Sequence, residues 1–449
     1  NAVRLLDAVR PLAAVLPEVA SPPRPVPFNM KIMFTSLALL LFLSLSQVRL
    51  IGTLSIDGPD PLASVRASVG ATYGTLGELG VLPLLGAGFT MQLLASTRSI
   101  DVNFSLKEER ALFGSAQKLF AVILGFIHAT ILVLSGIYGA PSALGPLAIL
   151  GLIAQLTGAT LVVALLDELL QKGHGIGSGA TLFAGAHACT SAIWAAASLR
   201  TVSTPRGAQY EGALPALVHL VLSWHSLSRA LTEAFWRPYA PNLLGVAATL
   251  AVGAAAAFLG RVRLDFPVKH VRVPSQRGAY PVKLLYTGAL PLLALGAVRA
   301  ALLTLVHAAA YHLPPALPVR LLFGRWDAPS GIAAALAPPT GLLDALMHPL
   351  RTVTYTALCV GVSAAFSAAW IGATGSEAHH VIKQLQEQQL TMLGFREGTM
   401  SKELKRAIPT AALLGGALVG AVAVLGDVAG ALGGGACAFV GLTLVQAYI

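Results

Sequence analysis

The chain has 449 residues, of which 55% are apolar and only 11% charged, and its mean hydropathy is +0.72. Soluble proteins carry about 25% charged residues, so this composition excludes a water-soluble globular protein and points to a polytopic membrane protein. The formal charge of +10 fits nucleic acid, an anionic membrane face or plain topology, and the placement of the charges decides among them.

Residues 1–30 open with "VRLLDAVRPLAAVLPEV", in which Arg4, Asp7 and Arg10 oppose Leu5, Leu6 and Val9. That pattern predicts an amphipathic helix on the membrane surface. Charge and proline interrupt its apolar run, so it does not read as a signal peptide. Ten apolar segments of spanning length follow, at 32–53, 74–95, 117–138, 142–166, 178–199, 241–260, 284–311, 350–374, 408–426 and 430–449. A bilayer core about 30 Å thick takes ~20 helical residues per crossing. The apolarity is continuous and lacks a period of two, which excludes a barrel and predicts an all-α membrane protein. A shorter apolar piece, 212–224, predicts a half-helix packed in an outer loop.

Loops 1–31, 96–118, 167–177, 261–283 and 375–407 lie on one side of such a ten-span chain and hold twenty Lys and Arg; the opposite loops hold nine, and Arg299 lies inside a span. All nine lysines fall on the first side. The positive-inside rule makes that side cytosolic and puts the N-terminus there. The sequon "NFS" at Asn103 then faces the cytosol and is expected to carry no glycan.

Between the fourth and fifth spans stands "LLDELLQKGHGIGSGATLF", with glycines at 173, 175, 177 and 179. It matches neither the P-loop nor the dinucleotide fingerprint, and membrane helices flank it on both sides. It reads as a tight turn between two spans, its glycines supplying positive φ and close helix packing. Asp167 and Glu168 are candidates for a proton relay; at the end of a span beside Lys172 they are expected to be solvated or locally paired.

Loop 261–283 carries six basic residues against one acid, and loop 375–407 adds Lys383, Arg396, Lys402, Lys405 and Arg406 against four acids. Together they are dense enough to hold a polyanion such as ribosomal RNA. Arg299 within a span is costly, so it is expected either to face protein or water, or to snorkel from an off-centre position. His128, His187 and His307 read as packed, hydrogen-bonded histidines, and the adjacent His379 and His380 diverge on a helix. Cys189, Cys359 and Cys437 lie in apolar runs and read as packing residues. No metal, cofactor or catalytic motif is visible, and Gly416 with Gly420 predicts close helix contact. A passive channel and a secondary transporter of a small solute both fit this layout. The transporter lacks its usual mid-membrane acids, because Asp427 falls in the turn between the last two spans.

Several long stretches carry a specific resemblance: "GTLGELGVLPLLGAGFTMQLLA" (74–95), "ERALFGSAQKLF" (109–120), "LLDELLQKGHGIGSG" (165–179), "YPVKLLYTGALPLL" (280–293) and "KQLQEQQLTMLGFRE" (383–397). They resemble the SecY family, and within it the alpha subunit of the eukaryotic protein-conducting translocon, from about residue 5 to the end of the chain. The resemblance implies ten transmembrane helices in two inverted, pseudo-symmetric halves, 31–200 and 201–449, hinged as a clamshell. It implies a channel of the endoplasmic reticulum membrane that passes secretory nascent chains and releases transmembrane segments sideways. That exit, the lateral gate, lies between spans two and seven, with three and eight beside it. Expected partners are small single-span beta and gamma subunits, the ribosome with its rRNA, signal sequences, nascent chains and lipid; no cofactor or enzymatic activity is implied.

Carried over by position, the resemblance assigns a pore ring to Val81, Leu85, Ala180, Ala184, Leu293 and Val440. Two alanines stand where the family has bulkier aliphatics, so a tight seal requires a larger plug or an inward shift. The plug matches "DGPDPLASVRASVGA", 57–71. The family's polar gate cluster maps onto Gly86, His128 and Ala301, of which only His128 is polar, leaving nearby Arg299 as a candidate substitute. Ribosome docking maps onto Lys269, Arg272, Arg277, Arg396, Lys402, Lys405 and Arg406.

Overall fold

A computed structural model describes residues 9–11, 16–54, 60, 62–100, 102–104, 106–204, 207–223, 226–237, 240–270, 277–313, 331–339, 341–392 and 397–448. Each of the ten apolar segments carries a helix: α1 Phe28–Leu45, α2 Leu82–Ser96, α3 Lys107–Leu134, α4 Pro146–Leu169, α5 Gly179–Ala197, α6 Leu243–Arg261, α7 Leu290–His312, α8 Pro349–Ala373, α9 Glu397–Val428 and α10 Gly435–Tyr448. Prolines in the first turns of α2, α4, α7 and α8 start these helices where the backbone N–H groups have no partner to lose. Asn242 caps α6, its side chain accepting from the Gly245 N–H at 2.8 Å.

Among the described residues, seven helices, α1, α3, α4 and α6 to α9, are long and apolar enough to cross a membrane. The other three, α2, α5 and α10, share a position. With the residues at their ends they supply the buried Val81, Leu85, Ala180, Ala184 and Val440 to the central core. A helix that faces protein over much of its surface needs less length and apolarity than one bathed in lipid.

Packing follows the small residues. A side chain on Gly416 would stand 2.6 Å from the Ser363 carbonyl oxygen, and one on Gly420 would stand 3.0 Å from that of Cys359. Helices α8 and α9 therefore touch backbone to backbone, as the glycine spacing predicts. Ser367 adds polar contacts at this seam, donating to the Ala412 carbonyl and meeting the Thr287 hydroxyl, each at 2.8 Å.

Two small sheets lie outside the helices. Strands β1 (Thr201–Thr204) and β2 (Gly207–Tyr210) form a hairpin between α5 and α6. It leads into the short helices Ala213–Ser223 and Leu227–Phe235, which pack together through Leu220, Ala230 and Ala234; the first is the expected half-helix. At the other end of α6, β3 (Arg263–His270) pairs antiparallel with β4 (Arg277–Lys283) and with β5 (Leu390–Met392), in the order β4-β3-β5. The two basic loops thus share one sheet. Its own apolar core joins Val268 and Val282 to Ile371, Ile382, Leu404 and Ile408.

Replacing Gly420 by Leu should overpack the α8–α9 seam and cost about 1–3 kcal/mol, read as a lower thermal unfolding midpoint of the purified protein. Gly158→Leu, at a position with nothing within 4 Å, should leave that midpoint near wild type.

Candidate channel axis, plug and gate

The glycine turn sets the wall of the axis. After α4 the chain makes a wide helical turn at Leu170–His174, where Gly173 has φ +99, and reverses through Gly177 at φ +77. Asp167 is locally bonded, one of the two arrangements expected of it. Its Oδ1 accepts from the Ala180 N–H at 2.9 Å and its Oδ2 from Gln171 Nε2 at 2.9 Å, so α4 supplies the N-cap that α5 lacks on its own Ser178. Glu168 pairs with Lys118 of α3 at 2.9 Å and with Lys172 at 2.7 Å. Lys118 also donates to the Pro17 carbonyl, and Lys172 reaches Glu18 and the Val19 carbonyl. These bonds strap residues 17–19 across the ends of α3 and α4, and the cap fixes where Ala180 and Ala184 point.

All six predicted ring residues are buried, and all fall in the central cluster: Val81, Leu85, Ala180, Ala184, Leu293 and Val440. The space beside Ala184 is filled by the predicted plug. Its described part is residue 60 and residues 62–71, and it forms a short helix Ala63–Arg66, a tighter turn Ala67–Val69 and a left-handed Gly70 at φ +64. A side chain on Gly70 would lie 3.6 Å from the Ala184 Cα and 3.4 Å from Phe42, whose ring stacks on Phe183 at 4.7 Å. At α5 the predicted plug thus lies backbone against backbone at Ala184.

Two further glycines let the plug seat, and neither was legible in the sequence because each depends on a neighbour distant in the chain. The Val69 carbonyl oxygen stands 2.3 Å from where a Cβ on Gly80 would be and accepts the Val81 N–H at 2.9 Å. Ser68 Oγ lies 2.7 Å from the equivalent point on Gly296 of α7. An ionic tether holds the plug's other face: Arg66 binds Asp60 and Glu78 at 2.6 Å each and lies over the Tyr73 ring. Glu78 also accepts the Gly74 N–H. Removing one partner of so buried a pair strands a charge, which is the costly way to break it.

The expected gate is the seam of α2 and α3 against α7 and α8. Of the expected polar cluster at its middle, Gly86 and Ala301 offer no polar side chain, and His128 Nδ1 is bonded to Leu124 O of its own helix at 2.8 Å. Arg299 does not substitute. It is buried, donates to the Leu336 carbonyl at 3.1 Å and lies over the Tyr355 ring of α8, and Tyr355 in turn donates to Asp427 at 2.6 Å. Arg299 thus faces protein, on the side away from α2 and α3, and does not snorkel. At one end of the seam His307 bonds to the Ser135 backbone and the Tyr311 ring covers Gly136. At the other, Phe89 of α2 meets Phe366 and Trp370 of α8. The i, i+4 spacing of the two α8 aromatics is readable in the sequence; their partner on α2 is not.

On the basic face, Lys269 stands exposed on β3 opposite Arg277 of β4. Lys402, Lys405 and Arg406 are exposed on the extension of α9, on the side opposite the buried Leu404 and Ile408. Arg272 and Arg396 lie outside the described residues, and of Arg277 only the backbone is described. Among the described residues no group of three or more His, Cys, Asp or Glu side chains could hold a metal.

A bundle of membrane-spanning helices with a short segment seated on its axis and a seam between its two sides has the architecture of a gated channel of the polypeptide-conducting type. Comparison with known proteins agrees. The SecY family model matches residues 75–448. The protein transport protein SEC61 subunit alpha of Neurospora crassa is 44% identical, over 100% of this chain and 96% of its own length, and that of Schizosaccharomyces pombe is 41% identical over 99% and 95%. Among solved structures, one titled "The structure of a protein conducting channel" superposes with a TM-score of 0.79 at 26% identity, covering 98% of this chain and 95% of its own. A second, "Sec61 in the Canine ribosome-channel complex from the endoplasmic reticulum", gives 0.78 at 25% over the same shares. The chain belongs to the SecY family.

Exchanging Gly80 for Ala forces a left-handed φ on an L-residue and crowds the Val69 carbonyl. A cost of about 1–2 kcal/mol should shift the balance from seated to unseated plug by roughly tenfold. Planar-bilayer recordings should then show higher resting ion conductance than wild type.

Proposed function

We infer that this protein is the pore-forming subunit of a protein translocation channel, passing secretory chains across the endoplasmic reticulum membrane and releasing apolar segments into lipid. The observation that carries the reading is the segment on the axis: residues 62–71 pack closely against the start of α2, against α5 and against α7, beside six buried apolar residues of one cluster. Such a constriction excludes water and ions, and a polypeptide can part it. Val81, Leu85, Ala180, Ala184, Leu293 and Val440 form the ring. Residues 31–200 and 201–449 act as two halves hinged between α5 and α6, with the N-terminus and the β3–β5 sheet in the cytosol. The chemistry at the pore is mechanical; the driving force comes from a translating ribosome or a separate motor. Small single-span beta and gamma subunits brace the assembly.

The basic platform is the ribosome-docking surface. Lys402, Lys405 and Arg406 share one face of a rigid helix, and Lys269 extends it from the sheet, a spacing suited to successive phosphates of rRNA. Arg272, Arg277 and Arg396 complete it by resemblance. The buried core beneath the platform supports the reading, because it fixes those charges relative to the pore mouth.

With stalled ribosomes bearing a signal sequence, a photocrosslinker at Leu85 or Leu293 should capture the nascent chain. Loss of capture with ribosome binding intact would sink the channel reading. Reversing Lys402, Lys405 and Arg406 to Glu should weaken ribosome binding and flatten its log–log salt dependence by about 0.7 to 0.9 for each phosphate no longer neutralised. An unchanged slope would refute this docking surface.

A further inference from the structure

We propose that an aromatic clasp across the gate, Phe89 against Phe366 and Trp370 with Gln92 bonded to the Ala373 carbonyl, sets how apolar a segment must be to open the channel sideways. The proposal rests on the channel reading above and deepens it by naming residues that select among substrates.

Three observations converge. The ring centroid of Phe89 lies 4.9 Å from that of Phe366 and 5.3 Å from that of Trp370, at interplanar angles of 72° and 90°. The two α8 rings stack on each other at 5.3 Å and 19°. Edge-to-face contact onto a stacked pair is a favoured aromatic geometry, attractive beyond the area it buries. One turn further along both helices, Gln92 Nε2 donates to the Ala373 carbonyl at 2.7 Å. Ala373 is the last residue of α8, so its carbonyl is one of those the helix itself leaves unbonded. The amide from α2 caps the C-terminus of α8 across the seam.

The second observation is what the rest of the seam lacks. Gly86, Ala301 and the self-satisfied His128 make no polar bond between the halves at mid-membrane. Arg299 is committed to Leu336 and Tyr355 on its own side. The attraction between α2 and α8 at this end therefore rests on three rings and one amide.

The third observation is exposure. Phe89, Gln92, Phe366 and Trp370 are all half-buried: packed against one another, yet reachable from outside. A helical segment arriving at the seam meets these rings first. To part them it must supply comparable apolar surface to both sides, so the clasp strength translates into a hydrophobicity threshold. A strongly apolar segment replaces what the rings give up, and a weakly apolar one does not.

The test uses the full chain with its partner subunits in proteoliposomes and a graded series of signal sequences, from leucine-rich to marginal. The quantity read is the ratio of translocation by marginal signals to translocation by the strongest. Phe89→Ala should raise that ratio by roughly two- to tenfold, in keeping with the strength of paired aromatic rings, and Gln92→Ala should move it the same way. A ratio that stays at the wild-type value in both variants overturns the proposal. If Phe89→Ala fails to fold, Phe89→Leu and Trp370→Leu keep apolar bulk and serve in its place. Singly each should raise the ratio, and the double variant should do little more than either alone, because both break the same ring pairing; strictly additive effects would overturn the clasp. Failure of the wild type to translocate even the strongest signal would instead sink the channel reading itself.

Discussion

The centre of this fold depends on one close approach, the Val69 carbonyl filling the volume that any side chain on Gly80 would need. Because the plug's backbone can come that near, its carbonyl accepts the Val81 N–H and caps the approach to α2. Gly70 then reaches α5 beside Ala184, and Ser68 reaches α7 at Gly296. Three helices from both parts of the chain are gathered around one short segment. A methyl group at Gly80 would disturb all three contacts, since densely packed interiors relax poorly.

The polar groups divide along the same line. Arg66 with Asp60 and Glu78 ties the plug to the segment before α2, and Lys118 with Glu168 and Lys172 ties α3 to the end of α4 and to residues 17–19. Arg299, Tyr355 and Asp427 tie α7 to α8 and to the end of α9, and Asp427 accepts the Gly435 N–H at the start of α10. Each network lies on one side of the gate seam. Buried ion pairs resist separation because parting them exposes an unpaired charge. The seam itself is held by apolar contact, the Gln92 amide and the His307 bond to the Ser135 backbone. Strong ties within each side and weak ties between them make the seam the place where the molecule parts with least loss.

Much of this architecture was legible in the sequence. Continuous apolar runs located ten helices, and Gly416 with Gly420 announced the α8–α9 contact. What was not legible depends on pairing across long chain separations. Asp167 looks like an end-of-span carboxylate because its role as a cap needs Ala180 folded back beneath it. The cost of an intramembrane charge left Arg299 to face protein or water or to snorkel; that it faces protein depends on Tyr355 and Leu336. The two basic loops read as separate patches, yet the pairing of Val268 with Met392 makes them one sheet. Side-chain type reports local chemistry; the direction a group faces is decided by tertiary packing.

The small residues on α5 find their physical reason in the same geometry. A ring made only of bulky aliphatics must seal when closed and widen when open, and the same side chains limit both. Here the volume beside Ala184 is supplied by a separate segment that contacts it through the backbone of Gly70. On the proposed channel reading, closed-state sealing depends on the seat of the plug, through Gly80, Gly296 and the Arg66 tether, and open-state width depends on the alanines. The two properties become separately adjustable, and a substitution that enlarges α5 would act on the seat as well as on the ring, because the plug already occupies the space into which a larger side chain would grow.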